Sequence, residues 1–156
     1  GKIADGIFHV KKPETPGYQV EVESQSTSLA TQMTEVVEKI DIAAIMALGD
    51  VTTGEAIFKK CAACHSIKKG GANKIGPMLY GVVGRKVGDV SDYKYSKALA
   101  SYGKEWTFEE LNGFLTKPGS YLKGTKMSYA GLRKEADRAS VIKYLNQNSD
   151  NPKPLP

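Results

Sequence analysis

Cys61-Ala62-Ala63-Cys64-His65 is the stretch on which the reading of this chain turns. It gathers both cysteines of the protein and one of its two histidines into five residues. C-x-x-C-H is the attachment signature of c-type haem. Two thiols three residues apart on a helical turn reach the two vinyl groups of one porphyrin, and the adjacent His65 then lies under the iron as an axial ligand. The other ring nitrogen of that histidine needs an acceptor to fix the ring. Three other chemistries fit less well. A thioredoxin-like redox pair calls for a βαβ context, which is absent around these residues. A structural zinc site needs four ligands, whereas Cys61, Cys64 and His65 supply three and only His9 remains. A disulfide across so short a loop leaves His65 without a role.

The sixth ligand sets the chemistry of such a site. His9 is one candidate, and Met33, Met46, Met78 and Met127 are the thioether candidates. A methionine within a helical pattern more often fills a core, which argues against Met33 and Met46. Met127 sits in the loop Lys123-Gly124-Thr125-Lys126-Met127-Ser128-Tyr129-Ala130-Gly131, where bracketing glycines can hold a side chain against a flat cofactor. Histidine–methionine ligation raises the reduction potential and suits electron transfer. It also leaves no open position for a substrate, so the reading is of a carrier and not an enzyme. The competing reading is a haem-based sensor or peroxidase-like protein with a labile sixth ligand.

The remaining sequence reads as mostly α, with no set of strands large enough for a sheet core. Residues 1–22 hold two β-leaning runs, Gly6 to Val10 and Tyr18 to Val22, around a Pro13 to Gly17 turn. From Leu29 to Leu48 apolar residues recur at helical spacing up to Gly49. A second helix is expected from Thr52 to the cysteines, and a short one over Ser96 to Tyr102. Thr107 followed by Glu110 is a capping-box pattern, predicting a helix that Pro118 ends. A last helix is expected over Lys134 to Asn146, before a Pro-rich tail. These elements divide the chain into an extension over 1–49, a body over 50–150 and a tail over 151–156.

Composition agrees with a soluble globular chain: of 156 residues, 40% are hydrophobic and 25% charged. No apolar run approaches the ~20 residues that span a bilayer. The net charge of +5 conceals an asymmetry. Residues 1–50 carry four lysines against eight acids, a net of −4, and residues 51–156 carry 18 Lys and Arg against nine acids, a net of +9. A basic body calls for an acidic partner. Nucleic acid is disfavoured, because no basic–aromatic recognition motif accompanies the charge.

From Gly49 to Asp150 the sequence resembles class I cytochromes c of the mitochondrial type. The runs that carry the resemblance are Gly54 to Phe58, Cys61 to His65, Lys69-Gly70-Gly71, Gly76 to Gly81, Gly84-Arg85, Tyr93 to Ser96, Trp106, Tyr121, Gly124 to Met127, Ala130-Gly131 and Arg138 to Leu145. The resemblance implies the class I cytochrome c fold around one haem c, covalently held by Cys61 and Cys64, with His65 and Met127 on the iron. It implies that Pro77 offers its carbonyl to His65. Tyr95 and Trp106 would bond a propionate, with Arg85 offsetting its charge, and Gly54 and Phe58 would pack on the last helix. The chain departs from the pattern at Lys123, where the ligand loop usually has Pro. Phe114 stands where mitochondrial forms usually have a Tyr bonding the Met sulfur, which predicts a retuned potential.

The same resemblance implies partners and place. The expected donor is a quinol–cytochrome c reductase and the expected acceptor a cytochrome c oxidase, docked on a basic ring of Lys60, Lys68, Lys69, Lys74, Lys117, Lys123 and Lys126. Pro16-Gly17-Tyr18 and the tail Ser149 to Pro156 resemble bacterial membrane-anchored cytochromes c. That likeness implies an anchor upstream of Gly1 and the periplasmic side of a bacterial inner membrane. The acidic extension is expected to act as a tether and a packing helix, with modulation of docking as the sharper alternative.

Overall fold

The structure is a computed structural model that describes residues 42–156. His9, Met33, the two β-leaning runs and most of the helix expected over 29–48 lie outside the described residues. Residues 42–47 are helical. Ile42, Ile45 and Met46 share one face of that turn, as spacings of three and four dictate. All three are buried, Met46 to 1% exposure, in the same cluster as Phe58, Trp106, Ile142 and Leu145. The core of the body thus takes in residues that the sequence pattern assigns to the extension. The Gly49-Asp50 pair interrupts the helix without interrupting the packing. Met46→Ala is expected to cost about 2–5 kcal/mol, measured as a lower denaturant midpoint at unchanged m. An unaltered midpoint would contradict this burial.

Helix α1 spans Val51–Phe58 and is capped by Asp50, whose carboxylate accepts from the Thr53 amide at 2.8 Å. It ends at Phe58 and not at the cysteines. From there the chain proceeds by turns, with Cys61 and Ala62 amides donating to the Phe58 carbonyl and Cys64 and His65 amides to the Cys61 carbonyl. The last helix, α5 at Glu135–Gln147, packs against α1 at Gly54. A methyl at position 54 would strike the Ser140 carbonyl and stand 2.9 Å from Tyr144 Cβ, so glycine lets the two backbones touch. Phe58 and Tyr144 pack beside that contact with ring centroids 5.4 Å apart and planes tilted by 48°. Ser140 Oγ accepts from the Asp50 amide at 3.0 Å and Lys143 Nζ donates to the Gly49 carbonyl at 2.9 Å.

Between these helices lie α2 at Lys97–Ala100, α3 at Phe108–Thr116 and α4 at Pro118–Tyr121. Thr107 caps α3 as expected, accepting from the Glu110 amide at 3.1 Å. Pro118 does not simply end a helix; it opens α4 after an extended Lys117. Its missing N–H and preset φ suit a first helical position. Arg138 of α5, 5% exposed, ties α3 to the loop before α5. Its Nε donates to Asn112 Oδ1 at 2.7 Å and its guanidinium to the Leu132 and Arg133 carbonyls. The tail is docked by a reciprocal pair: the Lys153 amide donates to Asn146 Oδ1 and Asn146 Nδ2 donates to the Lys153 carbonyl. Among the described residues no helix is long and apolar enough to cross a membrane.

Candidate haem-binding site

The helices surround a cavity of about 400 Å3, within the range of small-molecule and cofactor sites. Cys61, Cys64, His65, Pro77, Arg85, Tyr95, Trp106, Phe114 and Met127 all line it. The structure therefore brings every expected cofactor-contacting residue to one wall-bounded space. Leu79, Val82, Leu99, Leu111, Leu115 and Leu145 supply the apolar wall, and no Asp or Glu lines the cavity.

His65 is oriented from two sides. Its Nδ1 lies 2.7 Å from the Pro77 carbonyl. A carbonyl only accepts, so Nδ1 carries the proton and Nε2 keeps its lone pair. Burial lowers the His65 pKa, the Pro77 bond partly opposes this, and the Arg85 charge lowers it further. The ring is thus held neutral and ready to coordinate. Gly76, which opens the Gly76 to Gly81 run but carries no expected role there, supplies the second constraint. A Cβ there would lie 2.6 Å from Nδ1 and 2.7 Å from Nε2 of His65. The imidazole lies flat against a backbone that must have no side chain. Burial also raises the Cys61 thiol pKa, as does neighbouring Cys64, with Lys60 opposing.

Arg85 tests whether an acidic cofactor fits. Its guanidinium is positioned by donating to the Met78 carbonyl at 2.9 Å and the Tyr80 carbonyl at 3.2 Å. Its Nε is buried with no hydrogen-bond partner among the described residues. A buried donor left unpaired costs about 1–3 kcal/mol, and a carboxylate of a cofactor in the cavity would satisfy it. Tyr95 can bond the same group. Its hydroxyl oxygen accepts from the Val90 amide at 3.3 Å, leaving its proton to donate. Trp106 is anchored by its backbone. Its amide donates to the Arg85 carbonyl at 2.9 Å and its carbonyl accepts from Gly84, beside the antiparallel bridge of Lys86 and Glu105.

Among the described residues Met127 is the one methionine that lines the cavity. Met46 is in the core, as expected of a helical methionine. The Met127 loop is braced by the Thr125 hydroxyl, which accepts the Met127 amide at 3.3 Å, and by Lys126 Nζ on the Lys94 carbonyl. Phe114 is buried, 5.0 Å from Trp106 between ring centroids, with Tyr121 edge-on at 6.5 Å. Behind it, the capping-box reciprocity expected at Glu110 is absent. Its carboxylate instead accepts from the Tyr102 and Tyr121 hydroxyls, each at 2.7 Å, and from Lys104 at 2.9 Å.

That network has a pH signature. Burial raises the Glu110 pKa, but the bonds from Tyr102, Lys104 and Tyr121 prevail and hold it below its ordinary value. A depressed folded pKa adds stability above the unfolded carboxyl's pKa, about 4.3, which is lost as the pH falls through the folded value. Glu110→Gln is expected to lower the Tm at pH 7 and to flatten its acid-side decline. An acid limb parallel to that of the parent chain would contradict the assignment.

Of the seven expected docking lysines, all exposed, Lys60 and Lys126 line the cavity. Lys74 folds back to donate to the Ala62 carbonyl at 2.9 Å, and Lys69 pairs with Asp150 at 2.8 Å. Lys68, Lys69, Lys74, Lys117 and Lys123 are absent from the cavity wall.

Residues 51–149 match the family described as cytochrome c. The chain belongs to the cytochrome c family, in its class I form. A "Cytochrome c homolog" of Bradyrhizobium diazoefficiens is 40% identical over 98% of this chain and 84% of the relative. One from Rickettsia bellii is 43% identical over 93% and 83%. Cytochrome cH from Methylobacterium extorquens, a solved structure, has a TM-score of 0.59 at 37% identity and covers 64% of this chain and 99% of its own. As a class I cytochrome c, the protein carries covalent haem c through Cys61 and Cys64 and serves as an electron carrier. The cavity residues fit that cofactor: paired thiols, a neutral fixed imidazole, an unsatisfied buried guanidinium N–H and an apolar wall.

Proposed function

We propose that this cytochrome c shuttles single electrons from a quinol–cytochrome c reductase to a cytochrome c oxidase on the periplasmic side of a bacterial inner membrane. The observation that carries the reading is the meeting of His65 and Met127, the two residues that would hold the iron, in one cavity whose charged lining is cationic throughout. When bound, the haem supplies a reversible one-electron couple at its iron. The chain supplies the rest. Pro77 and Gly76 hold the His65 ring in one orientation, and Met127 offers the thioether. Arg85 and Tyr95 offset and bond the cofactor's carboxylate. The leucines and Phe114 exclude water, limiting the reorganisation that accompanies a change of iron charge.

Docking in this reading is quick and weak, because a shuttle must dissociate. Charge attraction supplies on-rate without a large dry interface. Lys60 and Lys126 are the residues assigned to steering, with Lys68, Lys69, Lys74, Lys117 and Lys123 as an outer ring. The test is stopped-flow oxidation of the reduced protein by a detergent-purified proteobacterial haem–copper cytochrome c oxidase. Between low and high ionic strength the second-order rate constant is expected to fall about tenfold or more. Lys60→Gln and Lys126→Gln should reduce both the rate and its salt slope. A rate insensitive to salt would dismiss this docking account.

A further inference from the structure

We propose that Ile75 is the apolar anchor of the electron-transfer docking face, seating in a shallow apolar depression rimmed by carboxylates on the redox partner. The proposal rests on the electron-carrier reading above and adds to it a residue of a different chemical kind. Ile75 is 78% exposed, the most exposed large hydrophobic of the described residues. A scattered surface isoleucine is ordinary and needs no explanation; two further observations distinguish this one.

The first is its place. Ile75 lines the mouth of the haem cavity together with Lys60 and Lys126. Any partner that approaches the cofactor at that mouth must cover it. The second is its rigidity. The Lys74 amide donates around it to the Gly76 carbonyl at 2.9 Å, and the Gly76 amide donates to the Cys64 carbonyl at 2.8 Å. Lys74 Nζ holds the Ala62 carbonyl at 2.9 Å and the Tyr93 hydroxyl donates to the Ile75 carbonyl at 2.7 Å. These bonds tie the loop to the cysteine turn and to the Tyr93 segment, so Ile75 cannot withdraw from water by a backbone shift.

A β-branched side chain has few rotamers to lose, and a pre-ordered backbone removes most of the ordering cost of binding. Ile75 therefore meets the physical description of an anchor: apolar, held on a bonded backbone, exposed at the cavity and flanked by cations. The adjacent cations, Lys60, Lys74 and Lys126, and the absence of any acid on the cavity wall specify the rim of the partner site as acidic.

The experiment measures oxidation of the haem-loaded chain by the same detergent-purified oxidase, at low and at about 300 mM ionic strength. Ile75→Ser is expected to raise KM about tenfold at both ionic strengths, with visible spectrum and reduction potential unchanged. Ile75→Leu should stay within about twofold of the parent, and the deficit of Lys60→Gln should shrink at high salt while that of Ile75→Ser persists. An unchanged KM for Ile75→Ser overturns the proposal. So does a shift in spectrum or potential, which would make Ile75 a shield of the cofactor edge. Loss of binding to anionic phospholipid vesicles with normal oxidase kinetics would assign the residue to a lipid surface instead, again overturning it. If the parent chain itself is not oxidised, the electron-carrier reading fails first, a result distinct from all of these.

Discussion

Gly76→Ala is expected to unseat His65. The new methyl carbon would stand 2.6–2.7 Å from both ring nitrogens, well inside van der Waals contact, and neither side has room to yield. The Gly76 amide is bound to the Cys64 carbonyl and its carbonyl to the Lys74 amide, so the backbone cannot retreat. The ring must swing off the Pro77 carbonyl. Overpacking costs about 1–3 kcal/mol and the lost bond about 0.5–1.5 kcal/mol. The Tm of the haem-loaded protein should fall by roughly 5–20 °C, with a changed visible spectrum. Gly119→Ala is the control, because nothing lies within 4 Å of its new methyl. Equal Tm values for the two variants would contradict the close approach at Gly76.

Met127→Ala is expected to have the second large effect, on redox chemistry more than on folding. Met127 is half-buried and packs at the edge of the core, so its truncation leaves the helices in place. It removes the one thioether on the cavity wall among the described residues. Axial ligand identity moves haem potentials over ~0.8 V, so a fall of more than roughly 0.1 V is expected in a potentiometric titration. The vacated position should also admit carbon monoxide in the reduced protein. Met127→His should restore closure to external ligands while keeping the potential low. A potential unmoved by Met127→Ala would show that the ligand lies elsewhere.

Much of this site is legible in the sequence because its chemistry demands particular atoms at particular spacings. Two thiols and an imidazole in five residues admit few readings, and a methionine between two loop glycines stands out from the helical methionines. The Thr107 cap is legible for the same local reason. What escapes the sequence depends on contacts across the fold. Gly76 is one glycine among several in a Lys- and Gly-rich stretch, and only the folded chain shows which of them faces the His65 ring. Ile42, Ile45 and Met46 carry a helical period but no mark of the body they pack against, so the Gly49-Asp50 punctuation reads as a boundary that the packing ignores. Glu110 matches a local capping box, yet the side chains of Tyr102, Lys104 and Tyr121, brought in from outside its helix, claim its carboxylate. Ile75 is silent because exposure is a property of the fold and not of the residue.

The measurement that bears most directly on a closed, electron-carrying haem site is the absorption spectrum of the purified protein, read in both oxidation states and with carbon monoxide added to the reduced form. A weak sulfur-to-iron band at the red end of the oxidised spectrum, together with a reduced spectrum that carbon monoxide leaves unchanged, is the predicted result. Absence of that band with rapid carbon monoxide binding would contradict the account and point to a sensor or peroxidase-like site.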